Sequence, residues 1–454
     1  MRNLIHDLGQ LNQLPSEERL LALERIIPMT IVQEILRQTG HASRNCRRLP
    51  HSFVVFFVVA LSLFAKDEYR QVFKWLQRFR PGGTPGRNTL AEARKGLGIA
   101  PLRLLSREVV HLLGTPDTPG AFYKGMRQMA IDSFVVDLYD SPDNTRIFGK
   151  PQSGRSEGAF PQARVLALCE TGSHVLYRWQ VKPIACGEST MLSALWRYLE
   201  SDMLLLWDRG FLSYDNLQQV QATGANLLAR VKSNFVFQRI EVLSDGSYLA
   251  KMYPSGHHRD RDEDGTVVRI IAYTLEGRGK PAEVHRLLTT LLDAKEHPAS
   301  ELIMLYHERW EEEQTIDELK THHLERPVLR SQTPAGVIQE IEGLMLSHFI
   351  IRSLMQEAAA EKGLDPDRLS FTGTLKILRC RLPEVPKEVD DRVGRERWYR
   401  DLLAEISEQI LAPRRDRVNP RVIKRKMSKW PKKRAKHLNP PKPAKPFKEC
   451  IVIT

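Results

Sequence analysis

Residues 203–211 have the sequence MLLLWDRGF, in which a continuous apolar run from Met203 to Trp207 ends at the carboxylate of Asp208. A short apolar run of this kind is typical of a strand that is buried on both faces, as in a parallel sheet. Open α/β sheets bind their ligands at the carboxyl ends of such strands. The stretch therefore predicts an α/β fold with Asp208 at a ligand-binding edge.

The sequence on either side continues the alternation of strands and helices. Apolar runs at Met129–Val136 and Val165–Leu168 predict strands, and Thr171-Gly172-Ser173 predicts a hairpin turn that leads into a third strand. A helix near 191–200 precedes the strand quoted above, and a strand at 226–231 follows a further helix. This order, βββαβαβ, is the order of an RNase H-like α/β domain with a central mixed sheet.

Other patterns delimit regions around that core. The first 118 residues contain the start and stop signals of helices. Two short predicted helices around Gly98 and Pro101 suit either a helix-turn-helix or an ordinary pair of packed helices. The predicted regions are a helical N-terminal domain (1–118), an RNase H-like domain (119–232 and 300–360), a β-rich insertion subdomain (233–299), a helical C-terminal region (361–411) and a basic tail rich in Pro and Lys (412–454).

Positive charge is concentrated near the C-terminus. The formal net charge is +13, yet Arg414–Lys448 contains fifteen Lys or Arg and one acid, so the rest of the chain is close to neutral. Such a segment predicts a polyanion partner such as nucleic acid, or else a solvated disordered run. The candidate phosphate contacts are Lys424, Lys426, Lys432, Lys433 and Arg434.

Cysteine usage and hydropathy bear on the compartment. The five cysteines form no CxxC pair, which argues against a disulfide framework or a zinc cluster and fits a reducing cytoplasm. The strongest apolar run, Phe53–Ala65, is shorter than the roughly 20 residues that a membrane span requires. We therefore expect a cytoplasmic protein without a membrane segment.

Two aspartates at strands suggest a metal site. Asp132 lies within the predicted strand Met129–Val136, where a lone charge in the core is costly, so we expect it at an open site together with Asp208. Carboxylates from different elements suit Mg²⁺, which prefers oxygen ligands. Asp137 is the alternative to Asp132, although in a regular strand it points to the other face. Each carboxylate taken singly also suits a structural loop contact.

A predicted helix at Glu301–Lys320 adds a third carboxylate. At about 100° per residue, four of its side chains share an arc roughly 60° wide: Tyr306, Arg309, Glu313 and Lys320. A carboxylate between cations and a phenol suits a metal ligand beside groups that bind phosphate. Glu311, Glu312 and Glu318 favour the alternative of a salt-bridged surface helix.

The segment from Tyr306 to Lys320 resembles the Tyr, Arg, Glu, Lys signature of the insertion-element-four family of DDE transposases, with the same spacing. Departing from the family, the chain has Ser133-Phe134 where a small Gly-Thr pair usually follows the first aspartate. Three more stretches resemble the same family: Leu49-Pro50 with its apolar helix, Ile131-Asp132 through Phe148-Gly149, and Trp207-Asp208-Arg209-Gly210-Phe211 through Ser233.

The resemblance implies roles for these residues. Asp132, Asp208 and Glu313 would be the catalytic carboxylates and hold two Mg²⁺ ions, for which Mn²⁺ can substitute. Tyr306, Arg309 and Lys320 would contact DNA near the scissile phosphate. Relatives that form a DNA hairpin hold a flipped base with a tryptophan of the insertion, whereas none of the seven tryptophans here lies between Ser233 and Pro298.

The implied function is that of a bacterial DNA transposase. It would bind the inverted repeats of an insertion element through its helical N-terminal domain, cut phosphodiester bonds and join the 3′-hydroxyl ends to target DNA. The implied partners are double-stranded DNA and a second copy of the chain, with no membrane and no nucleotide cofactor, in the cytoplasm at the nucleoid. The alternatives are an RNase H-like nuclease or resolvase without strand transfer, and a catalytically inactive DNA-binding descendant.

Overall fold

The computed structural model describes residues 23, 25–42, 49–76, 83–153, 156–275, 284–308, 315–385, 392–412 and 447–453. The chain divides into two units. The first unit comprises Met1–Tyr198 and Trp310–Leu411, and the second comprises Leu199–Arg309 and Ala412–Thr454. Both units contain helices and strands, so the predicted α/β class is confirmed. Among the described residues, no helix is both long and apolar enough to cross a membrane.

The N-terminal part of the first unit is helical. Its described helices are α1 (Met29–Gln38), α2 (His51–Leu63), α3 (Tyr69–Leu76), α4 (Arg87–Leu97) and α5 (Ala100–Val109). Helix α2 begins after Pro50, as predicted, and is apolar all round, so it is buried from Phe53 onward. Helix α5 ends at Val109 rather than continuing to Leu113, because the N–H groups of Leu113 and Gly114 donate to the buried Glu170 carboxylate.

The next part of the first unit is a sheet. It comprises β1 (Phe122–Tyr123), β2 (Met126–Leu138), α6 (Pro142–Phe148), β3 (Gln152–Ser153), β4 (Ser156–Glu157), β5 (Gln162–Glu170), β6 (Val175–Pro183) and α7 (Glu188–Leu192). Strand β5 pairs antiparallel with both β2 and β6. Asp132 lies opposite Ala167, which lies opposite Trp179, so the three residues form one row across the sheet.

The second unit is built on another run of paired strands. It comprises β7 (Met203–Trp207), α8 (Tyr214–Ala222), β8 (Asn226–Arg230), β9 (Gln238–Val242), β10 (Tyr248–Met252), α9 (Gly256–Arg261), β11 (Thr266–Leu275), β12 (His285–Thr289) and α10 (Ala299–Glu308). Strands β7 and β8 are parallel, as their apolar runs suggested. Strand β12 pairs antiparallel with β8, so the strands of the predicted insertion, 233–299, extend the sheet of β7 and β8.

The first unit resumes at Trp310, and its described residues begin again at Thr315. It contains a π-helix at Glu318–His323, β13 (Val328–Leu329), α11 (Pro334–Lys362), α12 (Phe371–Arg381) and α13 (Arg392–Ser407). Helix α11 packs against α2 so closely that a Cβ atom on Gly343 would lie 2.8 Å from the carbonyl oxygen of Val58. This contact joins helices from distant parts of the sequence in one core.

The chain ends with β14 (Ile451–Ile453) in the second unit. Strand β14 pairs antiparallel with β11, and the ring of Phe447 stacks on His307 with centroids 3.6 Å apart. The last part of the predicted basic tail is therefore held in the sheet of the second unit. The candidate phosphate contacts Lys424, Lys426, Lys432, Lys433 and Arg434 lie outside the described residues.

Candidate active site

Asp132 lies near the middle of β2, on the face of the sheet that packs beneath α11. Phe134 and Val136 follow it at two-residue intervals and belong to the core on that face. Asp132 itself is half-buried, and its Oδ1 accepts a hydrogen bond of 2.7 Å from the backbone N–H of Ser133. The carboxylate thus lies on the same face as these core residues.

Asp137, the alternative first carboxylate, lies on the opposite face of β2. Its Oδ1 accepts a hydrogen bond of 2.7 Å from Nε2 of Gln162, its neighbour across the strand pair. This contact gives Asp137 a structural partner. Asp132 and Asp137 therefore lie on opposite faces of β2, and the choice of Asp132 as the site residue stays a prediction.

Asp208 lies directly after β7, at the carboxyl end of the strand. All five residues of β7 are buried, whereas Asp208 is half-buried. Its backbone carbonyl accepts from the N–H of Phe211 at 3.1 Å, which forms a turn at the strand end. Among the described residues, no hydrogen bond or ion pair to the Asp208 carboxylate is present. A carboxylate in this setting suits a cation ligand.

Tyr306 on α10 contacts the same strand end within the second unit. Its hydroxyl donates a hydrogen bond of 3.0 Å to the backbone carbonyl of Trp207, one residue before Asp208. The Tyr306 side chain is only 7% exposed. The hydrogen bond connects α10 to the backbone beside Asp208. Contact of Tyr306 with DNA stays a prediction.

Glu313 and Arg309 lie outside the described residues, and the first described residue after them is Thr315. Thr315, two residues after Glu313, is buried, and its hydroxyl lies 3.8 Å from Sγ of Cys169 on β5. Cys169 shares the sheet face of Asp132, because its partner Ala130 precedes Asp132 by two residues. The chain after Glu313 therefore packs on the face that carries Asp132.

A π-helix at Glu318–His323 includes Lys320. A π-helix closes i→i+5 hydrogen bonds, so residues within it lose the register of a regular α-helix. Lys320 is exposed and therefore accessible to a ligand. The predicted arc from Tyr306 to Lys320 includes Arg309 and Glu313, which lie outside the described residues, so the arc stays a prediction.

Glu318 forms a buried ionic cluster in the first unit. Its carboxylate accepts from Arg352 on α11 at 3.1 Å, and it lies 3.5 Å from Nε2 of His348 and 3.6 Å from Nδ1 of His174. Burial opposes its ionisation, but the charge of Arg352 and the contacts of His174 and His348 hold the pKa of Glu318 well below its usual value. Glu318 therefore forms ion pairs, but with buried partners in the core of the first unit and not on a surface helix as the alternative expected.

His174 completes this cluster from the turn between β5 and β6. Its Nε2 lies 3.2 Å from Oδ1 of Asp367. Burial and the charge of Arg352 disfavour the imidazolium, but Asp367 and Glu318 outweigh them and raise the pKa of His174 from 6.5 to about 9. The cluster joins the π-helix to α11 and to the hairpin. Local sequence patterns could not reveal it, because its members lie far apart in the chain.

Two of the proposed metal ligands have the chemistry that a divalent cation requires. Asp132 and Asp208 offer carboxylate oxygens at half-buried positions, which is the chemistry that hard cations prefer. No group of three or more His, Cys, Asp or Glu placed to hold a metal occurs among the described residues, from which Glu313 is absent. Asp132 lies in the first unit and Asp208 in the second, and each is described within its own unit.

Comparison with known proteins agrees with this chemistry. The family described as "Insertion element 4 transposase N-terminal" matches residues 17–107, and the family described as "Transposase DDE domain" matches residues 123–350. The transposase InsG for insertion sequence element IS4, from Escherichia coli strain K12, is 27% identical over 409 residues, which cover 88% of this chain and 91% of InsG.

Two more distant similarities were found. The putative transposase InsZ of the same strain is 26% identical over 206 residues, which cover 44% of this chain and 67% of InsZ. A piggyBac transposase, whose structure was solved as a synaptic complex with hairpin DNA, aligns with a TM-score of 0.39 and 13% identity over 86% of this chain and 85% of that one. Since the DDE domain match alone covers more than half of the 454 residues, the chain belongs to the insertion-element-four family of DDE transposases, metal-dependent enzymes that act on DNA.

Proposed function

We propose that this transposase cuts DNA at the ends of an insertion element and joins the freed 3′-hydroxyls to target DNA. Asp132, Asp208 and Glu313 are the proposed ligands of two Mg²⁺ ions, for which Mn²⁺ substitutes. The proposed catalytic domain is RNase H-like, with strands β2, β5, β6, β7 and β8 in the βββαβαβ order of the sequence.

The observation that carries the proposal is the packing of Thr315 against Cys169. It brings the chain that follows Glu313 onto the sheet face of Asp132. Asp208 adds a carboxylate at a strand end, where α/β sheets bind ligands. Three carboxylates from three elements suffice for hard cations that keep several waters.

The chemistry follows from these positions. Divalent cations, when bound there, would stabilise the charge on the attacking and leaving oxygens. Tyr306 fixes the backbone beside Asp208 through the Trp207 carbonyl. Lys320 presents an exposed ammonium group that suits a phosphate of the DNA backbone, and we assign the same role to Arg309.

The two ends of an element must be cut together, so we propose that two copies of the chain assemble on DNA. The helical residues 1–118 would bind the ends, and cations of the basic segment, Lys424, Lys426, Lys432, Lys433 and Arg434, would contact phosphates. A location in the bacterial cytoplasm at the nucleoid is part of the same proposal.

The test is cleavage of a labelled element-end duplex by wild type and by Asp132→Asn, Asp208→Asn and Glu313→Gln, each with Mg²⁺, Mn²⁺, Ca²⁺ or chelator. We expect cleavage by wild type in Mg²⁺ and Mn²⁺, and a loss of about a hundredfold to a thousandfold in each variant while duplex binding is retained, because removal of one charge-stabilising group costs that much in comparable sites.

The matched control is Asp137→Asn, which removes a carboxylate from the other face of the same strand. It should cut within a few-fold of wild type. Normal cleavage by any of the three site variants would refute that assignment. Cleavage without joining to target DNA would identify a nuclease or resolvase, and specific binding without any cleavage would identify an inactive descendant.

A further inference from the structure

The first unit contains a cavity of about 210 Å³ that lies apart from the proposed catalytic carboxylates. Helix α5, strand β6 and helix α11 all contribute to its lining. Cations and aromatic side chains dominate that lining: Arg103, Arg107, Arg178, Lys182, Tyr177 and Tyr198. One carboxylate, that of Glu342, lies among them. The lining is therefore suited to an anion that also carries a flat apolar part.

Arg178 is held in place by the end of α5. Its guanidinium donates to the backbone carbonyls of Val110 at 2.8 Å and Arg107 at 3.2 Å. Carbonyl groups at a helix C-terminus lack helical partners, so a cation there is favourable. The contact fixes α5 along β6 and keeps the cavity between them preformed.

Arg178 also lies over the rings of two tyrosines of the lining. Its guanidinium carbon lies 3.8 Å from the ring centroid of Tyr177 and 5.3 Å from that of Tyr198. The two rings meet edge to face, with centroids 6.3 Å apart. Aromatic rings and Arg guanidinium planes are the surfaces on which proteins stack unpaired bases.

Glu342 gives the cavity a polar floor. It is buried on α11 and accepts hydrogen bonds from Ser106 at 2.8 Å and from the indole N–H of Trp179 at 3.3 Å. Burial raises the pKa of Glu342. Arg103 and Lys182 are exposed at the rim, so an anion there meets cations first. A base edge at the floor meets hydrogen-bonding groups.

We propose that this cavity binds one unpaired nucleotide of single-stranded DNA, with its phosphate at Arg103, Arg107 and Lys182 and its base against the surface formed by Tyr177, Arg178 and Tyr198. In a duplex the base faces are stacked and cannot reach such a surface, so the aromatic part of the cavity favours an unpaired strand over a duplex backbone.

The position of the cavity relates it to the proposed site. Trp179 lies in the row that also contains Ala167 and Asp132, two strand spacings from Asp132, which is roughly 10 Å. That distance corresponds to about three base-pair steps of duplex DNA. The inference rests on the chain acting as a DNA transposase, because it assigns the nucleotide to a strand that is opened near the cut.

The test uses the full chain in chelator, so that no cleavage occurs. Its probes are a fluorescein-labelled 12-residue oligothymidylate and a duplex of the same length. The variants are Arg103→Gln with Lys182→Gln for the phosphate, and Tyr198→Leu for the stacked base. We expect each variant to weaken oligothymidylate binding about tenfold or more, and duplex binding by less than threefold.

The control variants are Lys362→Gln with Arg146→Gln, which remove two exposed cations elsewhere in the first unit, and Tyr139→Leu, an exposed tyrosine. They should stay within about twofold of wild type. As a second measurement, 4-thiothymidine in the oligonucleotide should crosslink to a peptide that contains Tyr177 or Tyr198. The proposal would be overturned if the cavity variants kept the oligothymidylate affinity of wild type, or if they lost affinity for single strand and duplex equally. Crosslinks to other peptides would also overturn it.

Its failure is distinguishable from failure of the proposed function. If Asp132→Asn loses cleavage but the cavity variants bind single strands as wild type does, the proposed function stands and the proposed nucleotide site is refuted. If the cavity variants bind single strands more weakly but wild type never cuts element ends, the nucleotide site is supported and the proposed reaction is refuted.

Discussion

The hydroxyl of Tyr306 donates a hydrogen bond of 3.0 Å to the backbone carbonyl of Trp207, the residue that precedes Asp208. Tyr306, which the family resemblance assigns to a DNA contact, is thus buried against β7, the strand that precedes the proposed metal ligand Asp208. The two roles make different predictions, because a DNA contact acts on DNA affinity and a tether acts on the geometry of Asp208.

We predict that Tyr306→Phe keeps its affinity for element-end DNA and cuts about tenfold more slowly, with a higher Mg²⁺ concentration for half-maximal rate. The loss of one buried hydrogen bond should lower the free energy of unfolding by about 1 kcal/mol. Fluorescence anisotropy, a Mg²⁺ titration of the cleavage rate and urea unfolding measure these quantities. A drop in DNA affinity with an unchanged Mg²⁺ requirement would restore the DNA-contact role.

The buried cluster around Glu318 should make stability depend on alkaline pH. Because the pKa of His174 is raised from 6.5 to about 9, its contribution to stability is fully present below about pH 6.5 and is lost as the pH rises through about 9. His174 has a φ of +58°, which asparagine tolerates, so His174→Asn is a suitable variant.

The difference in the free energy of unfolding between wild type and His174→Asn should shrink by about 3 kcal/mol from pH 6 to pH 10. Urea unfolding at a series of pH values measures it. The exposed His257→Asn serves as control and should show no such trend. A constant difference for His174→Asn would contradict the raised pKa.

The contact between Gly343 and Val58 should reverse the usual effect of a glycine-to-alanine change. In an open helix this change stabilises by roughly 0.5–1 kcal/mol, as we expect for Gly96→Ala in α4, where the nearest atom to an added Cβ is 3.8 Å away. Gly343→Ala should instead lower the free energy of unfolding by about 1–3 kcal/mol, because its Cβ meets backbone. Thermal or urea unfolding that shows both variants equally stabilised would mean that α2 and α11 can move apart.

The basic segment should give DNA binding a steep salt dependence. Replacement of Lys424, Lys426, Lys432, Lys433 and Arg434 by Gln should reduce the slope of log K against log salt by up to about 4, at roughly 0.9 per phosphate contact. Substitution is preferable to truncation, because removal of the C-terminus would also remove β14. An unchanged slope, with folding intact, would assign the affinity to other cations.

Much of the architecture followed from local patterns. The apolar run before Asp208, the alternation of strands and helices, and the helix after Pro50 depend on neighbours within a few residues, and each is present in the structure. Features that depend on distant partners did not follow. The Glu318 cluster requires side chains from the hairpin and α11, and the pairing of β14 with β11 links residues about 180 apart.

The candidate site divides in the same way. The side of β2 on which Asp132 lies follows from strand alternation, and so does the opposite orientation of Asp137. The π-helix does not follow, because its hydrogen-bond register depends on how Glu318 and Leu319 pack in the core. The cavity beside β6 is also a tertiary feature, since its lining comes from α5, β6 and α11.

The burial of α2 against α11 has a consequence for synthesis of the chain. About 270 residues separate the end of α2 at Leu63 from the start of α11 at Pro334. At 5–20 residues per second the ribosome needs roughly 15–55 s to make them, during which the face of this all-apolar helix that packs against α11 lacks its native partner. The nascent enzyme is therefore exposed to aggregation for most of its translation, and its yield in the cell should depend on chaperones that bind the emerging N-terminal helices.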